Sequence, residues 1–402
     1  MKRNIFALTL CLCLIFTLIS GCASETPATE VPTTEMSITE VPATEVPVPE
    51  AVQPEEKLSV LTKVSEIELQ TYESTELYTL GENLLVASWG EFDDTETYGY
   101  FLSIVSADHG EVLEARQVKR LFEEEAFSQD HVMVGTETGE CCILDSALSV
   151  VDSYQPITPT RREHGYPDVD QPWYLWYSPD FQIGYSFPFV GEVQTDEYEN
   201  MIEEYSSIND LVRVDPKTGM LTKMKTDLRG CRFKYYAGGQ YMVVTHETPE
   251  GTVSFSLDLH TGEMEEAPVR GEALDRVGNT WLLRDSDDSG KLYVHTSEGT
   301  TILHCDTAET TPYARLMNEQ HLLLRDSYDR RCGTLYDLSG KFLSRYEFPE
   351  SKFARNPDAY VSGPVWSEAA DGYYLLLNTG KTCELYFWDI SVPMEGESLG
   401  IG

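Results

Sequence analysis

An aromatic and acidic stretch near the middle of the chain has residue types suited to ligand contact. A polar segment from Thr158 to Pro172 runs directly into the aromatic segment Trp173 to Tyr177. The candidate contact residues are Tyr166, Asp168, Asp170, Trp173 and Trp176. Aromatic rings stack on sugars or peptide side chains, while carboxylates accept hydrogen bonds or pair with cations. The stretch predicts a binding surface, and the alternative is that the tryptophans pack inside the fold.

A second long segment, Gly191 to Asn209, belongs to the same region of the chain. Within it, Tyr198, Met201, Ile202 and Tyr205 recur at helical spacing. We therefore expect a short helix inserted between strands. If both segments emerge on one face of the fold, Tyr198 and Tyr205 join the candidate contact residues.

The segment Asp285 to Gly290 resembles the first half of a calcium-binding loop. Asp285, Asp287 and Ser289 place oxygen atoms at alternate positions before a glycine. The bidentate carboxylate expected at the twelfth position is replaced by Thr296, and Lys291 adds a positive charge beside the loop. These residues form a weak calcium candidate, and we predict no metal or other cofactor.

Motifs that carry catalysis are missing from the sequence. It contains no Gly-x-Ser-x-Gly elbow, no His-Glu-x-x-His pair and no phosphate-binding P-loop. No catalytic residue is predicted. Carboxylates from distant parts of a fold can still form a glycosidase pair, so a hydrolase or lyase acting on a surface glycan stays open as the alternative.

The N-terminal region contains a cysteine directly after a candidate cleavage site. Lys2 and Arg3 precede an apolar run from Ile5 to Ile19, which is followed by Ser20, Gly21 and Cys22. This pattern resembles the lipobox of bacterial lipoproteins. The resemblance implies that residues 1–21 are a signal peptide and that Cys22 carries a lipid. The mature protein is then anchored to the cell membrane on its extracytoplasmic face.

The segment 22–57 has the composition of a tether. It consists largely of Thr, Glu, Pro, Val and Ala, and a Thr-Glu-Val-Pro motif begins at Thr29, Thr39 and Thr44. Proline prevents helix formation, the glutamates repel one another, and no aromatic residue is present to form a core. We expect this segment to be disordered and to separate the lipid from the next domain.

Residues 58–402 read as one folded domain built from repeats. The segment beginning at Trp281 and the segment beginning at Leu322 share a Leu-Leu-Arg-Asp-Ser core and a later Leu-Tyr pair. Their starts lie about 41 residues apart, which matches the ~40–45-residue period of β-propeller blades. The repeat predicts an all-β fold, a single β-propeller of about seven four-stranded blades with the helical insertion in blade three.

A second recurring feature supports this period. An apolar strand runs into aspartate and then a short turn at Asp108, Asp145, Asp215, Asp258, Asp337 and Asp389. Aspartate caps such turns because its carboxylate accepts the backbone N–H two residues on, and a following glycine adopts the left-handed conformation that closes the hairpin. These aspartates are predicted to be structural.

The repeats are similar to the WD40-like and quinoprotein-type propellers of bacterial lipoproteins, from Leu58 to Val392. Trp388-Asp389 is the only Trp-Asp dipeptide of the WD40 type, and the Gly-His partner of that signature is missing. The resemblance implies the fold alone. In such rings an N-terminal strand commonly pairs with the last blade, and the segment from Leu58 to Val64 is expected to do so.

The charge of the chain limits its partners. The net charge is −39, with 68 acidic and 29 basic residues. Such a surface repels nucleic acid and anionic lipid headgroups, so membrane attachment is expected only through the lipid. The sequence predicts a non-enzymatic binding or assembly module for a protein or a glycan. An accessory subunit or sensor beside a membrane complex stays open too.

Overall fold

The computed structural model describes residues 60–68, 74–92, 97–118, 120–121, 127–136, 138–157, 159–160, 162–166, 175–190, 208–236, 239–305, 313–325, 330–354, 356, 358–380 and 382–401. The predicted signal peptide, tether and inserted helix lie outside these ranges. No helix within the ranges is both long and apolar enough to cross a membrane.

The first two sheets are four-stranded antiparallel meanders in chain order. The first meander contains β2 (Ser74–Leu80), β3 (Asn83–Phe92), β4 (Thr97–Val105) and β5 (Val112–Val118). The second contains β6 (Arg120–Leu121), β7 (Val132–Gly135), β8 (Cys141–Leu144) and β9 (Val150–Tyr154).

The next sheet has seven strands because one long strand is shared by two meanders. Its strands are β10 (Trp176–Tyr177), β11 (Gly184–Ser186), β12 (Ile208–Val214), β13 (Leu221–Tyr235), β14 (Tyr241–Thr248), β15 (Gly251–Asp258) and β16 (Met264–Glu266). Residues 221–229 of β13 pair with β12, and residues 229–235 pair with β14. The chain bends between the halves, where Asp227 and Gly230 both have positive φ. The first half of β13 completes the third meander, and the second half begins the fourth.

The remaining sheets form the fifth, sixth and seventh meanders. The fifth contains β17 (Glu272–Val277), β18 (Thr280–Arg284), β19 (Lys291–Thr296) and β20 (Gly299–His304), with β28 (Gly400–Ile401) added at its edge. The sixth contains β21 (Tyr313–Leu316), β22 (His321–Arg325), β23 (Cys332–Asp337) and β24 (Phe342–Glu347). Helix α1 (Glu350–Ala354) precedes the seventh, which contains β25 (Tyr360–Ser367), β26 (Gly372–Asn378), β27 (Cys383–Trp388) and β1 (Leu61–Ile67).

The N-terminal strand closes the structure, as predicted, although it begins at Leu61 rather than Leu58. Strand β1 pairs antiparallel with β27, and Leu61 lies opposite Trp388. The first and last parts of the folded chain therefore share one sheet, so that the free edge of β27 is covered.

The hydrophobic core is divided among the interfaces between successive meanders. Leu85 and Val132 pack together between the first and second, and Leu282 and Leu322 between the fifth and sixth. Equivalent clusters occupy the other interfaces, and one of them joins the seventh meander to the first. Because that cluster packs the last meander against the first, the meanders close into a ring, and the fold is a β-propeller.

The predicted aspartate turns are confirmed for five of the six positions. Each of these carboxylates accepts the backbone N–H two residues on, at 2.8–2.9 Å: Asp145 from Ala147, Asp215 from Lys217, Asp258 from His260, Asp337 from Ser339 and Asp389 from Ser391. Gly219, Gly262 and Gly340 supply the left-handed conformation that closes three of the turns. Four of the turns connect the third and fourth strands of a meander, and the Asp389 turn follows the third strand of the seventh. All five therefore lie on one face of the ring.

Candidate functional site

The two long segments that the sequence singled out leave the ring on the same face. One joins β9 to β10, between the second and third meanders, and the other joins β11 to β12 within the third. In a four-stranded meander, the turn between its second and third strands and the link to the next meander both lie opposite the two remaining turns. The face that carries these segments is therefore opposite the face that carries the aspartate turns.

Tyr166 anchors the first of these segments to the third meander. It follows a single 3-10 turn, Arg162–His164, and only 4% of its surface is exposed. Its ring packs against Val212 and Val214, and its hydroxyl donates a hydrogen bond to Asp210 Oδ2 at 3.1 Å. Burial and the nearby carboxylate together raise the pKa of Tyr166 well above its ordinary value. The hydroxyl is therefore neutral and acts as a donor.

Asp210 provides the other half of this contact. It lies near the start of β12, where the second long segment returns to the sheet, and 4% of its side chain is exposed. Lys223 Nζ lies 3.2 Å from Asp210 Oδ2 and 4.7 Å from the centroid of the Tyr166 ring. The N–H of Asp227 donates to Oδ1 at 3.3 Å. We call Tyr166, Asp210 and Lys223 the third-meander clamp, because they tie the two segments together.

The second long segment begins and ends on a fixed stem. Backbone N–H groups donate from Val190 to Ile208 at 2.8 Å and from Asp210 to Pro188 at 3.1 Å. The side-chain amide of Asn209 donates to the Phe187 carbonyl at 2.8 Å. Residues on either side of 191–207 are thus held next to each other, and the connection can be shortened without moving the strands that carry it.

Trp176 lies in an aromatic cluster beside this stem. It is 8% exposed, and its ring makes edge contacts with Phe187 at 5.7 Å and with Phe233 at 4.5 Å between centroids. Phe187 and Phe233 stack at 5.0 Å. Phe233 is 40% exposed and Val190 is 41% exposed. Trp176 therefore packs as in the alternative interpretation, and it supports an apolar surface that Phe233 presents to solvent.

The structure describes two of the seven predicted contact residues. Asp168, Asp170, Trp173, Tyr198 and Tyr205 lie outside the described residues, as does Cys22. Of the predicted binding residues, the structure thus places Tyr166 and Trp176, and both lie at the third meander.

In the calcium-like loop, the first carboxylate is bound by neighbouring groups of the protein itself. Asp285 accepts backbone N–H bonds from Asp287 and Asp288, an ammonium bond from Lys291 at 3.1 Å, and the hydroxyl of Tyr293. The Tyr293 and backbone bonds hold the pKa of Asp285 well below its ordinary value. Asp287 and Ser289 are exposed on the turn. Within the described ranges, no group of three or more His, Cys, Asp or Glu side chains is arranged to hold a metal.

Three residues of the region were missed by the sequence reasoning. Asp210, Lys223 and Phe233 lie in strands and carry no motif. The sequence could have pointed to Asp210 only because it is a polar residue near the start of an otherwise apolar strand. Lys223 is recognisable only once its distance to Asp210 is known.

No protein-family model matches the sequence, and no curated protein matches it. Among solved structures, the chain is similar to the acylaminoacyl peptidase of Pyrococcus horikoshii, with 13% identity and a TM-score of 0.46 over 79% of this chain and 52% of that one. The chain thus spans about half the length of that peptidase. It is also similar to the β-propeller domain of the Trilobed protease from Pyrococcus furiosus, with 12% identity and a TM-score of 0.44 over 79% of this chain and 94% of the other. BamB from Moraxella catarrhalis has 12% identity and a TM-score of 0.34, over 84% and 100% of the two chains.

Proposed function

We propose that this protein is a lipid-anchored, extracytoplasmic binding or assembly module without enzymatic activity, and that it contacts a protein or a glycan through the face of its third blade. In this proposal the propeller has seven blades, with the seven-stranded sheet counting as two. The observation that carries the binding role is the third-meander clamp. It ties the connection that precedes the third meander to the one within it, on one face of the ring.

The anchor is supported by the sequence around Cys22. A basic and then apolar leader ends at Ser20-Gly21-Cys22, and the Thr-, Glu- and Pro-rich segment follows at once. A lipid on Cys22 places the ring outside the cytoplasm, and the tether sets the distance at which it meets its partner.

The chemistry of the third-blade face fits a partner that is not strongly anionic. The net charge of −39 disfavours polyanions, so aromatic stacking, apolar contact and hydrogen bonding are the interactions that remain. Phe233 presents an exposed ring that is fixed from below by Trp176 and Phe187. A ring held in this way binds a sugar or a peptide side chain with little loss of conformational entropy.

The binding role is tested by comparing two equally exposed apolar residues. Phe233 and Met264 are both 40% exposed and both belong to the fourth meander. Phe233 lies on its first strand, against Trp176 and Phe187 of the third meander, whereas Met264 lies on its outer strand β16. The full chain and its Phe233→Ser and Met264→Ser variants are expressed in the native cell. Each is crosslinked at the surface, captured and analysed by mass spectrometry, and each is also incubated with isolated cell-wall glycan. We expect Phe233→Ser to lose the bound protein or glycan and Met264→Ser to retain it. Equal capture by both variants would contradict the proposed face.

The anchor has a separate test. The Cys22→Ser variant is expected to lose both incorporation of labelled fatty acid and recovery in the membrane fraction, because the acylated thiol is removed. Unchanged membrane recovery of Cys22→Ser would contradict lipid anchoring and would leave the third-blade test unaffected.

A further inference from the structure

A cluster of basic side chains lies on the inner strands of the fourth, fifth and sixth meanders, in a protein whose overall charge is strongly negative. Its members are Lys234, Glu272, Asp275, Arg284, Arg315 and Arg325. We call it the inner cationic cluster. Its four cations outnumber its two carboxylates, and all of its members are buried or half-buried.

Glu272 neutralises one side of the cluster. Its carboxylate lies 3.0 Å from Lys234 Nζ and 3.4 Å from Arg284 Nη1, and 22% of its side chain is exposed. Burial lowers the pKa of Lys234, and Glu272 opposes that effect. This carboxylate is therefore shared between two cations and has little capacity for a third.

Asp275 is the other carboxylate, and it is engaged by the backbone. It is 5% exposed, and it accepts N–H bonds from Leu316 at 2.9 Å and from Arg276 at 2.8 Å. Burial raises the pKa of Asp275 to about 6, although the positive charge of Arg315 acts in the opposite direction. Asp275 thus moderates the charge of Arg315 without forming an ion pair with it.

Arg315 and Arg325 are held by aromatic rings. The guanidinium carbon of Arg315 lies 4.2 Å from the Tyr236 ring centroid, and that of Arg325 lies 4.1 Å from the Tyr313 centroid. Burial, with Asp275 and Tyr313 nearby, raises the pKa of Tyr236 well above its ordinary value. Tyr236 follows β13 of the fourth meander, whereas Arg315 belongs to the sixth. Contact between non-neighbouring meanders places this group near the axis, where inner strands converge.

The hydrogen-bonding capacity of these two arginines is not filled. The Nε atoms of Arg315 and Arg325 are buried, and no described atom accepts a hydrogen bond from either of them. Neither guanidinium has a carboxylate of the described residues at ion-pair distance. A buried polar group without a partner is destabilising, so the fold holds these two groups in place at an energetic cost.

The neighbouring Arg276 has a structural role and provides a comparison within the same fold. Its Nη2 lies 2.6 Å from Glu265 Oε2, its Nε donates to the Gly278 carbonyl at 3.0 Å, and its Nη1 donates to Ser256. Each nitrogen of that guanidinium has an acceptor. Arg276 also lies over the Tyr241 and Trp281 rings, at 4.3 and 4.8 Å from their centroids. Arg315 and Arg325 therefore differ from it in their buried Nε atoms, which have no acceptor among the described residues.

We propose that Arg315 and Arg325 form a binding site for the carboxylate groups of a small organic acid. Tyrosine rings cover the faces of the two guanidiniums, so the planar edges stay free for carboxylate oxygens, whose spacing matches the N–H fork. A dicarboxylate divides its charge between two groups, one for each guanidinium, whereas phosphate concentrates a similar charge on one centre beside the two protein carboxylates. This site is separate from the third-blade face.

Isothermal titration calorimetry of the full chain in detergent tests the site, with succinate as the probe at constant ionic strength. Inorganic phosphate and chloride are titrated in parallel. We expect saturable binding of succinate that Arg315→Gln and Arg325→Gln each weaken about tenfold or more, because each loses charge-assisted hydrogen bonds. The control is Arg345→Gln on the outer strand β24, where Arg345 pairs with Glu347 at 3.1 Å. This control is expected to bind succinate as the unaltered chain does.

Three results would overturn the proposal. They are no saturable heat with succinate, undiminished affinity in both glutamine variants, and phosphate binding as tightly as succinate. If Arg315→Gln does not melt cooperatively, Arg315→Lys takes its place, since lysine keeps the charge but loses the fork. It is expected to fold and to bind more weakly, and unchanged affinity would count against the site. The Phe233→Ser variant should bind succinate normally, so this test is distinguishable from that of the third-blade face.

Discussion

The closing seam of the ring and the third-meander clamp use the same chemistry in two different settings. At the seam, Glu384 accepts bonds from Lys63 and Lys352 at 2.8 Å and from the Tyr386 hydroxyl at 2.7 Å. In the clamp, Asp210 accepts a hydrogen bond from Tyr166 at 3.1 Å and forms an ion pair with Lys223 at 3.2 Å. Each is a carboxylate held by lysine and tyrosine.

The two regions differ in what surrounds the carboxylate. The seam lies beside large buried clusters that join the seventh meander to both of its neighbours, and Trp388, Tyr346 and Tyr373 are fully buried there. The clamp is backed by a small cluster around Tyr166, Val212 and Val214. It holds a connection against a blade, whereas the seam holds the ring together. The comparison indicates that breaking the seam unfolds the protein and that breaking the clamp changes only a surface.

The largest effect is expected from Trp388→Ala at the seam. The indole is fully buried, packs on Tyr346 and Tyr373, and donates from Nε1 to Ser344 Oγ at 2.9 Å. Its removal leaves a cavity and takes the indole donor from Ser344, whose hydroxyl keeps its contact with Met394 Sδ at 3.7 Å. The change should lower the free energy of unfolding by about 3–5 kcal/mol. Denaturant unfolding measures this change. A loss under about 1 kcal/mol would show that the seam does not hold the ring together.

A smaller effect is expected from Glu384→Gln. The side chain is 12% exposed, and loss of its charge leaves Lys63 and Lys352 without their shared acceptor. Unfolding at neutral pH should be easier by about 2 kcal/mol. The matched control is Glu347→Gln on β24, whose carboxylate is 65% exposed and pairs with Arg345 at 3.1 Å. That control should change stability little.

The same carboxylate gives the seam a pH dependence. Burial by itself raises the pKa of Glu384, but bonds from Lys352, Lys63 and Tyr386 outweigh burial and lower the pKa to about 2. Because the folded pKa lies below the ordinary value of 4.5, this contribution is present above pH 4.5 and is lost as the pH falls towards 2. Stability of the unaltered chain minus that of Glu384→Gln should shrink over this range. A constant difference would contradict the pairing.

Breaking the clamp should lower the stability of the protein less than breaking the seam does, and it should lower partner binding more. Tyr166→Phe removes one hydrogen bond to Asp210 and keeps the packed ring, so the expected loss of stability is about 1 kcal/mol. Capture of the surface partner should fall, because the first connection is no longer fixed to the second. Tyr336→Phe in the sixth meander serves as the tyrosine control. Loss of a cooperative melt in Tyr166→Phe would show that the clamp belongs to the core of the fold.

The smallest change in stability is expected for the pair Arg315→Gln and Arg325→Gln. Loss of the two cation–π contacts is offset by relief of the buried Nε groups, so the free energy of unfolding should change by less than about 1 kcal/mol. Thermal unfolding of the double variant measures this. A loss as large as that of Glu384→Gln would assign the two arginines a structural role like that of the seam.

The ring was predictable because each repeat is specified by residues that lie close together in the sequence. Apolar strands and capped turns such as those at Asp258 and Asp337 fix hairpins within a few residues, and pairing of the N-terminal strand with the last blade follows from removing an open edge. The sequence did not predict that strand β13 belongs to two meanders. Residues 227–230 have the pattern of a continuous strand, and the bend there arises from backbone conformation alone. Pairing of the C-terminal strand β28 with β20 has no sequence signal either.

The sites were harder to predict because their residues come from separate repeats. Tyr166 was recognised from its unusual segment, but its acceptor Asp210 lies 44 positions away. Arg315 lies between Ala314 and Leu316, a pattern that ordinarily indicates a solvent-facing position in a strand, and Arg325 ends a run of three leucines just before a polar turn. Their burial results from convergence of inner strands around the axis, which a single repeat does not reveal.

Replacement of residues 191–207 by a short Gly-Ser turn tests the central claim most directly. The bonds between Val190 and Ile208 and between Asp210 and Pro188 fix both ends of this connection, so the strands should keep their register. Melting and surface capture are measured on the same preparation of the full chain. We predict a cooperative melt close to that of the unaltered protein together with loss of the captured partner. Retained capture with a cooperative melt, or collapse of the fold, would contradict a binding role for the third-blade face.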